Sequence, residues 1–118
     1  PAFVQRAIRQ AIADTAANTG MVLTVAFDYG SRAELLRAAQ QSLSEPNSAI
    51  SITSDTLQSH LYSPELPDVD LLIRTSGESR ISNFLLWQIS HAKVYFTERS
   101  WPDLDATEID AALALIRK

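Results

Sequence analysis

Three short apolar runs, "MVLTVAF" (21–27), "VDLLIR" (69–74) and "KVYFT" (93–97), alternate along the chain with stretches whose apolar residues recur at helical spacing. Near-continuous apolar runs bounded by turn residues are the mark of strands in a parallel sheet, because helices cover both faces. The first segment carries Phe3, Val4, Ala7, Ile8, Ala11 and Ile12, the i, i+4 pairing of an amphipathic helix, and Gly20 suits a left-handed cap at its end. Ser31, with Glu34 three residues on, predicts a capping box for a second helix whose apolar face is Leu35, Leu36, Ala39 and Leu43. "SEPNS" (44–48) reads as a loop, and "SDTLQSHLY" (54–62) as a short helix capped by Ser54 or Asp55. "SNFLLWQI" (82–89) predicts a helix with Phe84, Leu85 and Trp87 in the core, and "WPDLD" a turn. Residues 107–116 predict a last helix, with Asp105 or Thr107 as N-cap and Arg117 and Lys118 at its end, where cations suit the dipole.

The resulting order is helix, strand, helix, helix, strand, helix, strand, helix. It predicts an α/β layered fold with a mainly parallel sheet flanked by helices. Three strands make a narrow sheet whose edges need partners, so the expectation is an incomplete part of a larger sheet, or an oligomer. With 118 residues the chain is expected to form one compact domain over residues 1–118.

Charge and composition narrow the function classes. A net charge of −4 argues against nucleic acid as a partner. The absence of cysteine removes disulfides and thiolate metal sites, and two histidines make a histidine zinc site a poor expectation. No apolar run reaches the roughly 18 residues of a spanning helix, and no signal peptide is visible, so a soluble, cytoplasmic protein is expected, touching membrane at most peripherally.

The chemistry concentrates in "DLLIRTSGESRISNFLLWQ" (70–88). In open α/β sheets ligands bind beyond the carboxyl ends of strands, and "IRTSGESR" lies there if "VDLLI" is a strand. Gly77 lets the backbone turn or approach a ligand closely. The helix expected to follow would offer unpaired N–H groups to an anion. Arg74 and Arg80 add forked, permanently charged donors, and Ser82 and Ser79 add hydroxyls. The pattern predicts a site for diphosphate or a similar dianion. The plainer account is that Arg74 pairs with a nearby acid and a serine caps a helix.

The run "DLLIRTSGESRISNFLLWQISHAKVYFTERSWPDLD", together with "VAFDYGSRAEL", closely resembles the C-terminal signatures of the cis-prenyltransferases, the undecaprenyl diphosphate synthase family. The similarity covers about residues 11–113. The resemblance implies a magnesium-dependent transferase that condenses isopentenyl diphosphate onto an allylic diphosphate, with Arg74, Arg80 and Ser82 holding the diphosphate of isopentenyl diphosphate. The chain is similar to the C-terminal half of such proteins. The Asp-Gly-Asn-Gly-Arg loop for the allylic diphosphate and its magnesium, and the Ser-Glu-Asn-Trp segment, belong to the half it does not resemble. The chain alone is therefore expected to be inactive, with no catalytic residue of its own.

Some positions depart from the family pattern. Lys93 stands where the resemblance implies a magnesium-binding glutamate, and an ammonium cannot serve as an oxygen ligand, so no metal residue is expected here. Asp28 and Ser31 replace Asn and Gly, changes that suit turns and caps. The family's dimers use an Arg-X-Gly tail, which does not follow the last helix here. Pairing with an N-terminal half or with a second copy is the implied partnership. Two other readings stay open: a non-catalytic subunit that pairs with an active synthase, and a generic phosphate-binding α/β module. His60 and His91 lack an evident catalytic partner, and packing is the simpler role for His91. Asp103 and Asp105 read as turn and cap residues rather than an acid pair.

Overall fold

A computed structural model describes residues 1–44 and 52–117; most of the loop expected at 44–48 lies outside the described residues. Helix α1 (Ala2–Thr15) forms where the i, i+4 apolar pairs run. It stops on Ala16, whose φ of −59° is still right-handed, so the left-handed Gly20 cap is not used. Its apolar face is bare: Phe3, Ile8 and Ile12 are all exposed.

Residues 21–27 were expected as a strand, and the structure corrects this. They pair with no strand among the described residues, and Met21 and Phe27 are 90% and 89% exposed. A strand exists through its ladder, and no neighbour here supplies one.

Helix α2 (Ser31–Ser44) and helix α3 (Ser54–Ser59) pack together, and the Ser42 hydroxyl donates to Ala38 O and Thr56 O at their junction. The α3 cap is Thr53, one residue before the expected Ser54; it exchanges side-chain and backbone hydrogen bonds with Thr56. Strands β1 (Leu71–Arg74) and β2 (Lys93–Phe96) form a parallel pair in the register Leu71↔Lys93 to Arg74↔Phe96. The 3₁₀ turn Trp101–Asp103 leads into helix α4 (Ala106–Ala114). Asp105 caps α4 by accepting from the Glu108 amide at 3.0 Å, as expected. Helix α4 packs on β1, and Tyr95 on β2 donates to Glu108 Oε2 at 2.9 Å. The α/β class stands, with the parallel sheet reduced to two strands among the described residues.

Residues 82–89 form a chain of turns rather than the expected helix. Leu85 has a left-handed φ of 48°, which no helix continues through. The Leu86 amide is taken by the Ser31 hydroxyl at 2.9 Å, and the Gln88 carbonyl accepts from Val69. Phe84 is 39% exposed and Trp87 half-buried, with its indole donating to Gln58 Oε1 at 2.7 Å, so this stretch is only partly core. Among the described residues the buried apolar side chains are few: Ala38, Leu61, Ile89 and Ala112. The chain exposes 9338 Å², against about 6,300 Å² for a compact monomer of its mass. The uncovered apolar side chains include those of α1 and of residues 21–27.

Candidate diphosphate-binding site

Arg74 closes β1, and the chain then turns through Ser76 and Gly77, both left-handed at φ 65° and 68°. Their amides are spent on the chain that follows β2: Ser76 N–H donates to Arg99 O at 2.7 Å and Gly77 N–H to Thr97 O at 3.0 Å. Glycine suits 77 for its φ; a Cβ there would stand 2.5 Å from Glu98 Oε2, the end of a flexible side chain that would have to move. The close approach foreseen at Gly77 is therefore to a side chain of this chain. With these amides used and no helix at 82–89, an anion would be recognised by side chains rather than by a helix N-terminus.

Those side chains converge on Glu78. Its Oε2 lies 2.8 Å from Arg80 Nε and 3.8 Å from Arg74 Nη2. One carboxylate oxygen thus faces two guanidinium groups, as a phosphate oxygen could. Arg74 Nε is buried without a partner among the described residues, while Arg80 is largely exposed. Ser82 is exposed, its hydroxyl unpaired among the described residues, and Ser79 is exposed too. The pairing of Arg74 with a nearby acid that the plainer account foresaw is present. It joins Arg74 and Arg80 in one cluster. Sequence reasoning passed over Glu78, although its i+4 spacing from Arg74 is a visible signal.

The loop is held from behind by the "YGSRAE" stretch. Asp28 adopts φ 53°, which Asp tolerates. Glu34 was expected to turn back onto its helix as part of a capping box. Instead it is 1% exposed and accepts from the Tyr29 hydroxyl, from the Tyr62 amide at 2.9 Å and from Gln88 Nε2 at 3.3 Å. Burial, and then the Glu34 carboxyl that accepts its proton, raises the Tyr29 phenol above its ordinary value of 10.0. Ser31 is the first helical residue and fully buried; the cap comes from the 82–86 segment. Tyr29 packs edge-on against Phe84 and Tyr62, and Arg37 lies 4.5 Å over the Tyr62 ring.

Lys93 is exposed at the start of β2, opposite Leu71, so the register sets it three positions from the Arg74↔Phe96 pair at the strands' carboxyl ends. Among the described residues no three His, Cys, Asp or Glu side chains gather as a cation site. His91 is exposed on an open groove with Trp87 and Gln58, rather than packed, and His60 is half-buried. Asp103 accepts from the Ser100 hydroxyl and Asp105 caps α4, apart from the arginine loop. No helix among the described residues is long and apolar enough to cross a membrane.

Comparison with known proteins adds to this geometry. Residues 1–117 match the prenyltransferase family model for undecaprenyl diphosphate synthase. An isoprenyl transferase of Neisseria gonorrhoeae is 50% identical over 98% of this chain and 46% of its own length. One from Enterococcus faecalis is 47% identical over 97% of this chain and 45% of its own. The chain spans about half the length of the curated relatives it matches. Among solved structures, a probable undecaprenyl diphosphate synthase from Campylobacter jejuni superposes with a TM-score of 0.79 at 31% identity, covering 98% of this chain and 53% of that one. Lavandulyl diphosphate synthase from Lavandula x intermedia, in complex with dimethylallyl diphosphate, gives 0.80 at 34% identity, covering 98% and 51%.

Proposed function

The chain belongs to the undecaprenyl diphosphate synthase family of prenyltransferases, and from that premise we propose that it forms the isopentenyl diphosphate half-site of a cis-prenyltransferase. The observation that carries the reading is the convergence of Arg74 and Arg80 on one carboxylate oxygen of Glu78. A diphosphate would take the place of that carboxylate, and Ser82 would add a hydroxyl donor. Holding the homoallylic partner at a fixed distance and angle is the contribution such a half-site makes to condensation. The allylic diphosphate would be held by residues outside this chain. The uncovered apolar surface of α1 and residues 21–27 is the seam at which those residues, on a preceding half or on a partner polypeptide, would join.

Magnesium fits this loop poorly. The ion wants several hard oxygen ligands, and the carboxylates at the loop are Glu78, already paired with two arginines, and Glu98 beside Gly77, while Lys93 offers none. No step assigned to these residues passes through a metal.

Reconstitution tests the reading. The chain is mixed with a polypeptide carrying the N-terminal half of the Neisseria gonorrhoeae relative, and transfer of labelled isopentenyl diphosphate onto an allylic diphosphate is followed. Product is expected from the mixture and not from either polypeptide alone. Lys93 in place of a carboxylate favours a second reading, a non-catalytic subunit of an active synthase. A stable complex without transfer would support that reading against the first.

Glu78 supplies a sharper expectation. Exposed ion pairs contribute about 0.2–1 kcal/mol each, and an incoming dianion must displace two. Glu78→Gln should therefore tighten binding of isopentenyl diphosphate about twofold to thirtyfold by calorimetric titration. Weaker binding by the variant would mean that Glu78 orients the arginines instead of competing with the ligand.

A further inference from the structure

Asn83 follows Ser82 in the loop and makes its bonds in the opposite direction, to the start of α2. Its backbone carbonyl accepts from the Ser31 amide at 3.1 Å, and its side-chain Oδ1 accepts from the Arg32 amide at 2.9 Å. These are two of the donors that a helix cannot satisfy at its own N-terminus. A residue 51 positions away in sequence thus caps α2. The bond is returned, since the buried Ser31 hydroxyl accepts from the Leu86 amide at 2.9 Å. Two turns of chain are clamped face to face by three hydrogen bonds.

Gly30 shows how tight the clamp is. A Cβ at Gly30 would stand 2.9 Å from Asn83 Nδ2, closer than a carbon atom can come without moving that side chain. Residues 82–89 form no helix of their own, and among the described residues the one backbone hydrogen bond at Ser82 itself is from Phe84 N–H to Ser82 O at 2.8 Å, with Phe84 in turn edge-on against Tyr29.

We infer that Asn83 is a positioning residue: it anchors the Arg80–Ser82 stretch to α2 and so sets the geometry of the diphosphate site. This rests on reading that loop as the diphosphate site, and the test has one arm that does not. In the first arm, backbone ¹⁵N order parameters are measured on the free chain. Asn83→Ala should drop Arg80, Ile81 and Ser82 from the rigid range near about 0.85 to below about 0.6, with the β1 and β2 amides unchanged. Asn83→Asp keeps Oδ1 and suits a helix start, so it should hold the loop at the native values. Gly30→Ala, which displaces the Asn83 side chain without removing it, should loosen the loop as Asn83→Ala does.

In the second arm, isopentenyl diphosphate is titrated into the wild type, Asn83→Ala and Gly30→Ala, and affinity should fall at least fivefold in both variants. Unchanged order at residues 80–82 in a folded Asn83→Ala chain would overturn the inference, as would loosening at Ser31 and Arg32 alone, which would make Asn83 a helix cap only. A loosened loop with undiminished affinity would overturn its role in the site. Absence of binding by the wild type would count against the half-site, and the order parameters would still decide whether Asn83 anchors the loop.

Discussion

Glu34→Leu should destabilise the chain by about 3–5 kcal/mol, because it strands three donors that the carboxyl group now accepts from. Each buried polar group left without a partner costs about 1–3 kcal/mol, and the donors are the Tyr29 hydroxyl, the Tyr62 amide and Gln88 Nε2. The upper end of the sum is not reached, since Tyr62 is 52% exposed and water can meet part of the deficit. Even so, the loss is a large share of the 5–15 kcal/mol typical of a domain. Glu34 joins α2 to the 60s turn and to the segment behind the arginine loop, so the damage should extend beyond the helix. Urea unfolding of the variant should show a much lower midpoint with an unchanged slope. A midpoint shift worth less than about 1 kcal/mol would mean that these contacts are replaced locally.

Glu34 also shows where reading from sequence stops. Its position three residues after Ser31 is the capping-box spacing, and spacing alone favours a local bond. The partners it found lie 28 and 54 residues away, and nothing in the local pattern announces them. The strands "LLIR" and "KVYF", α1, α2 and the Asp105 cap were readable, because apolar period and capping chemistry are local properties. The strand expected at 21–27 and the helix at 82–89 were not. The first needs a ladder neighbour, and the second lost to the bond between Leu86 and Ser31 and to the left-handed Leu85. Within the candidate site, Arg74, Arg80 and Ser82 could be picked by residue type, whereas Glu78 between the arginines and Asn83 behind them emerged from geometry.

Arg74→Ala carries the other large expected effect. Arg74 ends a strand and is half-buried, so water screens its guanidinium less than that of the exposed Arg80. A hydrogen bond to a charged group contributes about 1.5–3 kcal/mol, which corresponds to a loss of about ten- to a hundredfold in affinity. Arg80→Ala should cost less, since water screens the more exposed pair.

Calorimetric titration of the folded chain with isopentenyl diphosphate, beside Arg74→Ala at the same salt concentration, measures this directly. The half-site predicts saturable one-to-one binding by the wild type that the variant weakens at least tenfold while melting at the same temperature. Equal binding by both, or no binding by a wild-type chain that circular dichroism shows to be folded, would contradict it.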